Sequence, residues 1–245
     1  KENFWMSPQF LNQRKFLMIN IKNNIIKIKE SILNLELKLN RKKNSVNLMA
    51  VSKMQDAEKI REAFNSGQKD FGENYLQESL SKISELRNLG ITWHYIGKIQ
   101  SNKSKLIAEN YDWVHSIDKI STLRKINDHR RNFKDKINVC IQVNIDNEEA
   151  KSGINLDDVE QFINEAVDFD GVNVRGLMAI PMYQKEYESQ YKTFMRIKNL
   201  FDSLVNKGYK LDTLSIGMSS DYSAAIAAGS TIVRIGTSIF GERKK

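Results

Sequence analysis

The sequence predicts an α/β fold: a single (β/α)8 TIM-type barrel with an extra N-terminal helix. Three observations predict it. Eight short apolar runs alternate with stretches of helical periodicity, which implies parallel strands joined by right-handed crossovers. The length, 245 residues, is large for an ordinary domain and suits one barrel. No Gly-x-Gly-x-x-Gly turn follows any strand, which argues against an open doubly wound sheet.

Residues 1–17 (Lys1 to Leu17) fit no part of this pattern. They read as a poorly ordered extension, with the barrel domain expected over 18–245. From Ile19 to Lys43 the residues Ile21, Ile25, Ile28, Ile32, Leu35 and Leu39 recur every three or four positions. That spacing makes an amphipathic helix with a Lys-rich outer face. The first strand, Val46 to Ser52, is apolar enough to be buried on both faces. Asp56 to Asn65 is helical, with Asp56 as N-cap and Gly67 as the stop signal.

A strand at Lys69 to Gly72 leads to a helix from Tyr75 to Leu89, closed by Gly90. Thr92 to Gly97 is the third strand and Asn102 to Glu109 its helix. Asp112 to Ile117 and Lys119 to Arg131 form the fourth pair; Ile137 to Ile145 and Leu156 to Asp168 form the fifth. Val172 to Ile180 precedes a long helix, Tyr187 to Lys207, stopped by Gly208. Leu211 to Ile216, the short helix Asp221 to Ala228 and the strand Thr231 to Ile235 complete the alternation, and a short turn carries Phe240.

Composition narrows the function. Hydrophobic residues make up 40% and charged residues 28%, an ordinary globular balance. Cys140 is the one cysteine, so no intramolecular disulfide or cysteine cluster forms. His94, His115 and His129 fall at no metal-motif spacing. No apolar run reaches the roughly 18 residues of a membrane span, and no signal peptide is visible. The expectation is a cytoplasmic protein with no membrane partner. The net charge of +8 is spread among scattered lysines, without a basic stripe. Nucleic acid is therefore not expected, and a small anionic ligand fits.

In a barrel the ligand groups come from the C-terminal ends of the strands. Lys53 ends the first strand. Burying an unpaired ammonium is costly, so Lys53 either turns to solvent or serves as an amine for a Schiff base. Asn74, after the second strand, is placed to donate to a ligand oxygen or to cap a helix. His94 is either an inward-facing group or a hydrogen-bonded core histidine. Lys151, in the loop after the fifth strand, is a second amine near the mouth or a solvated loop residue. After the seventh strand Ser219 opens a short helix, and after the eighth come Gly236 and Thr237. Small residues at helix starts in these two loops suit a phosphate cradle. Arg234, between Val233 and Ile235, is a buried cation that needs an acceptor or a carboxylate.

A lysine across the mouth from a phosphate cradle, with a fixed cation between, suits pyridoxal 5′-phosphate (PLP). A guanidinium facing the pyridine nitrogen has only donors and keeps that nitrogen unprotonated. This weakens the ring as an electron sink.

Specific motifs support the same reading: Ala50-Val51-Ser52-Lys53, Phe71 to Glu78, Trp93 to Gly97, Gln100 to Lys103, Lys151-Ser152-Gly153, Arg175 to Met178, Gly217-Met218-Ser219, and Val233 to Thr237 through Gly241. Together they resemble the pyridoxal phosphate homeostasis proteins, from about Met18 to Arg243. That family is similar to the N-terminal barrel of alanine racemases. The resemblance implies PLP held as an aldimine on Lys53, with Met218, Ser219, Gly236 and Thr237 around the phosphate. It also implies Asn74 near the ring oxygen, Arg234 near the ring nitrogen, and Lys151 as a second lysine for cofactor transfer.

It further implies a non-catalytic role in vitamin B6 homeostasis, PLP-dependent apo-enzymes as recipients, and a monomer. Two departures from the family pattern stand out. Lys98 replaces a usual proline and adds charge at the mouth, and Met54 replaces a common threonine, which would alter packing beneath Lys53. The competing readings are a PLP-dependent racemase or decarboxylase-like enzyme, with a group such as His94 as the second base, and a sugar-phosphate barrel enzyme that does not use PLP.

Overall fold

The computed structural model describes residues 20–146 and 152–242. Within it, helix α1 (Ile21–Lys38) precedes β1 (Asn47–Val51), α2 (Ala57–Asn65), β2 (Asp70–Glu73), α3 (Leu76–Glu85) and β3 (Thr92–Tyr95). Next come α4 (Ser104–Asn110), β4 (Trp113–Ile117), α5 (Ile120–Arg130), β5 (Ile137–Val143) and α6 (Val159–Ala166). The chain finishes with β6 (Val172–Ala179), α7 (Tyr187–Asn206), β7 (Thr213–Met218), α8 (Tyr222–Ala227), β8 (Ile232–Ile235) and α9 (Thr237–Phe240). The eight strands close in sequence order into a parallel barrel, the expected architecture.

Closure brings the first and last strands side by side. Asn47 lies opposite Ile232, Met49 opposite Arg234 and Ala50 opposite Ile235. The helix after β8 is only four residues long, too short to cover this seam. Helix α1 supplies the missing wall, packing against α2, α8 and α9. Its buried stripe is Ile21, Ile25, Ile28 and Ile32. Asn24 Nδ2 donates to the Ile239 carbonyl at 2.9 Å. Arg41, just beyond the helix, donates to the Ile226 carbonyl at 2.8 Å.

The turn into β1 is fixed by a buried carboxylate. Glu36 accepts from the backbone of Asn44 at 2.9 Å and of Val46 at 2.8 Å. Asn40 and Asn44 take positive φ there, which Asn tolerates better than most residues. The helix therefore stops at Lys38, five residues before the expected end at Lys43. Helix α3 likewise stops at Glu85, four residues before Leu89, and β7 runs two residues later than expected.

The apolar core lies between barrel and helices, where Phe71, Leu123, Ile141, Phe194 and Phe240 are buried. Each such side chain contributes about 2–3 kcal/mol of burial. The barrel interior has a different composition. Alternating residues place Met49, Cys140 and Met178 there, together with His94, His115, Ser215 and Arg234, all buried. Met49 fits because Gly72 has no side chain: a Cβ there would lie 2.6 Å from the Met49 sulfur. Burial pushes the Cys140 thiol pKa up, leaving it protonated and inert.

Candidate functional site

A cavity of about 290 Å³ opens at the C-terminal mouth of the barrel. Its polar lining is Lys53, Asn74, Ser219, Ser220, Arg234 and Thr237, with Gly236 beside them. Val51, Ile96, Met178, Ile180 and Met218 supply apolar walls. Such a pocket, with flat apolar sides and a few convergent polar groups, suits a small ring-bearing anion.

Lys53 follows β1 by two residues and is half-buried. Its position is set by a network on the outer side of the sheet. Ser52 Oγ donates to Glu73 at 2.6 Å. Lys82, on α3, donates to both the Ser52 carbonyl and Glu73 at 3.0 Å and pairs with Glu78. Glu78 in turn accepts the Met54 backbone N–H at 2.6 Å, holding Met54 at a φ of 61°. Burial pushes the Glu73 carboxyl pKa up, opposed by Lys82 and Ser52. The Met54 side chain itself is exposed (52%). The buried Glu73 Oε2 has no hydrogen-bond partner.

Arg234 is buried in the interior. One of its terminal nitrogens donates to the Ser215 carbonyl at 2.5 Å and the Ser215 hydroxyl at 2.8 Å. The other donates to the Ala179 carbonyl at 2.9 Å. Burial lowers its pKa to about 10, with Asp221 opposing, so the guanidinium stays charged at neutral pH. The hydrogen bonds continue inward. His115 Nδ1 lies 2.9 Å from Ser215 Oγ, His115 Nε2 lies 3.0 Å from His94 Nδ1, and His94 Nε2 lies 3.0 Å from Asp70 Oδ1. Burial, reinforced by His94 and Arg234, holds the His115 pKa well below the ordinary imidazole value.

The loops after β7 and β8 meet at the same cavity. Asp221 does not cap the helix it precedes: its Oδ1 accepts the Met218 backbone N–H at 2.6 Å, folding residues 218–221 into a tight turn. Gly217 enters that turn at a φ of 96°, and a Cβ there would meet the Ala225 Cβ at 2.6 Å. Helices α8 and α9 begin at Tyr222 and Thr237. The first amides of a helix have no intrahelical acceptor, so two sets of donors start beside Ser219 and Gly236. Gly236 also keeps the wall thin, since a Cβ would sit 3.1 Å from the Val51 carbonyl.

Seven residues singled out in the sequence, Lys53, Asn74, Met218, Ser219, Arg234, Gly236 and Thr237, line this one cavity. Lys151 lies outside the described residues, as do residues 1–17. One geometric expectation is corrected. Lys53 does not face the cradle across the mouth, because its strand is hydrogen-bonded to the strand of Arg234 and Gly236. Barrel closure makes first and last strands neighbours, so the amine and part of the cradle are adjacent.

His94 is a buried, hydrogen-bonded histidine whose two nitrogens are engaged by His115 and Asp70. It does not line the cavity and is not placed as a second base. Asp70, His115 and Ser215 were missed, because nothing in their local sequence marks them. Lys98 lines an adjoining groove with Tyr75, Tyr95 and Lys103.

The residues present fit a PLP-sized ligand. The Asn74 side-chain oxygen is buried without a hydrogen-bond partner, although it borders the cavity. A buried amide oxygen left unpaired is costly, and a ligand polar group would satisfy it. Among the described residues there is no cluster of His, Cys, Asp and Glu able to hold a metal ion. Nor is any helix among them long and apolar enough to cross a membrane.

A model of the family described as alanine racemase, N-terminal domain, matches residues 27–244. The chain is 42% identical over 229 residues to the pyridoxal phosphate homeostasis protein of Escherichia coli (strain K12), covering 92% of this chain and 98% of that protein. It is 44% identical over 230 residues to the protein of the same name from Vibrio alginolyticus, covering 92% and 99%. The solved structure of PipY from Synechococcus elongatus PCC7942, with PLP bound, is 31% identical, with a TM-score of 0.79 over 91% of this chain and all (100%) of that one. An alanine racemase of Clostridium difficile 630 in complex with cycloserine shares the fold, at 18% identity and a TM-score of 0.70, covering 93% of this chain and 61% of that one.

Proposed function

The chain belongs to the pyridoxal phosphate homeostasis protein family, within the alanine racemase N-terminal domain family, and from that premise we propose that it binds and buffers PLP as a Schiff base on Lys53. The observation that carries this reading is the single cavity on which a lysine, a two-loop anion cradle, a buried guanidinium and an unpaired amide oxygen converge. When bound, the cofactor supplies a reversible aldehyde and an electron-accepting ring.

The Lys53 amine condenses with the aldehyde, forming C=N and releasing water. Ser219, Gly236 and Thr237, with Met218 beside them, hold the phosphate. Asn74 meets the ring oxygen, and Arg234 donates toward the ring nitrogen and keeps it unprotonated. A ring held in that state is a weak electron sink, which argues against strong carbanion chemistry of the aminotransferase kind. In this reading the chain acts as a cytoplasmic monomer, hands PLP to apo-enzymes with the help of Lys151, and binds neither membrane nor nucleic acid.

The test is spectroscopic. Protein loaded with PLP is expected to show an absorbance band near the visible edge that borohydride removes, leaving a mass adduct on Lys53. Lys53→Ala is expected to lose both. If neither band nor adduct appears with the unaltered chain, the cofactor assignment fails. Robust amino-acid racemisation by the loaded protein, abolished in Lys53→Ala, would overturn the carrier reading in favour of a racemase.

A further inference from the structure

We propose that Asp70, His94, His115 and Ser215 form one polarised relay through the barrel that positions Arg234 toward the cofactor cavity. The relay takes one side chain from each of β2, β3, β4 and β7 and ends on Arg234 in β8. It crosses the lumen between His115 and Ser215, whose strands are not neighbours. The inference rests on PLP occupying the cavity with its ring nitrogen toward Arg234.

The direction of every proton follows from the two ends of the line. A guanidinium has only donors and a carboxylate only acceptors. With both rings neutral, the Ser215 hydroxyl accepts from Arg234 and spends its own proton on His115 Nδ1, 2.9 Å away. That makes His115 Nδ1 an acceptor, so the ring proton sits on Nε2 and goes to His94 Nδ1. His94 then carries its proton on Nε2 and gives it to Asp70. The acceptor-only carboxylate of Asp70 requires the same tautomers when both rings are neutral. The charge of Asp70, whose side chain is 34% exposed, ends a line of dipoles whose negative ends point at Arg234. Chained hydrogen bonds polarise one another, so Ser215 becomes a stronger acceptor than an isolated hydroxyl.

A carboxylate, imidazoles and a serine in line resemble an activated nucleophile. Here the serine is fully buried, lies outside the lining of the cavity and accepts from Arg234. It cannot attack a substrate. The line instead supports a buried cation whose guanidinium donates to Ser215 and the Ala179 carbonyl, with the Asp221 carboxylate acting on it electrostatically. Asp70, His94, His115 and Ser215 are thus positioning residues: they act through Arg234 and do not line the cavity.

Two measurements test the relay. Nitrogen NMR of the histidine rings in the unaltered protein near neutral pH is expected to show both neutral with the proton on Nε2. A proton on Nδ1 of His115 would overturn the proposal whether or not PLP binds. The second measurement is PLP affinity and band position in Ser215→Ala, Asp70→Asn and the double variant, each checked for folding by circular dichroism. Ser215→Ala is expected to weaken binding about tenfold, as for one lost charge-assisted hydrogen bond. Asp70→Asn, which keeps an acceptor without the charge, is expected to weaken it about threefold and to move the band in the same direction. The double variant should match Ser215→Ala alone, because the line is already cut. Additive losses, or unchanged affinity in Asp70→Asn, would sink the relay. Absence of PLP binding in the unaltered chain would instead fail the cofactor reading.

Discussion

Adding one methyl group at Gly97 would place a carbon 2.0 Å from the Asn74 carbonyl oxygen. The obstacle is backbone, so it cannot rotate aside. Gly97→Ala is expected to destabilise the fold by about 2–4 kcal/mol and to weaken PLP binding by displacing Asn74. Denaturant unfolding and PLP titration check the two effects separately. A second residue gives a pH signature. The folded His115 has a pKa held below the ordinary imidazole value of 6.5, whereas the unfolded chain titrates near that value.

Below pH 6.5 the unfolded state therefore binds a proton that the folded state refuses, and stability falls as pH falls. Above it the contribution is fully present. Urea midpoints are expected to drop on acidification from neutral pH, by up to about tenfold in the folding constant per pH unit from this group. His115→Gln should flatten that slope. A slope unchanged in His115→Gln would assign it elsewhere. The groups facing His115 are His94 and Arg234, with Asp70 beyond His94, and Asp70→Asn serves as the control for the carboxylate.

The turn from β7 into α8 carries a prediction of its own. Asp221 faces backward onto the Met218 amide, and burial pushes its carboxyl pKa up. Asp221→Ala is expected to cost about 1–2 kcal/mol and to loosen the phosphate loop, so affinity for PLP should fall more than affinity for pyridoxal without its phosphate. Equal losses for both ligands would show that the turn does not serve the phosphate. At this scale the sequence was legible where a residue's role depends on its place at a strand end. Lys53, Ser219 and Gly236 were readable because strand periodicity told where each strand stopped. Helix ends were less so: the positive φ of Asn40 and Asn44 depends on Glu36 accepting their turn, a contact that periodicity does not encode. The relay was invisible for a stronger reason. Its five members come from five strands, and only the closed register sets them 3 Å apart; His94 and Arg234 stood out singly, each as a polar residue in an apolar run, with nothing to join them.

The monomer proposed above is tested at the scale of the whole molecule. Sedimentation equilibrium is expected to return about 28.3 kDa with and without PLP; a ligand-dependent dimer would contradict it. The barrel itself was legible because alternation of strands and helices is a global pattern that survives errors in individual boundaries. The cover that α1 gives to the β8–β1 seam was not, since periodicity shows that a helix is amphipathic without showing what it lies against.

The pairing of Met49 with Arg234 also has a consequence in time. Lys53 leaves the ribosome well before Arg234, Gly236 and Thr237. The contact joining them is among the longest-range in the chain, and such contacts form late. A nascent chain that has made seven strands holds a reactive lysine but has no eighth strand to bring the guanidinium beside it. In refolding, the PLP band should appear only after helical signal has recovered, and a small aldehyde offered during translation would be retained by finished molecules alone.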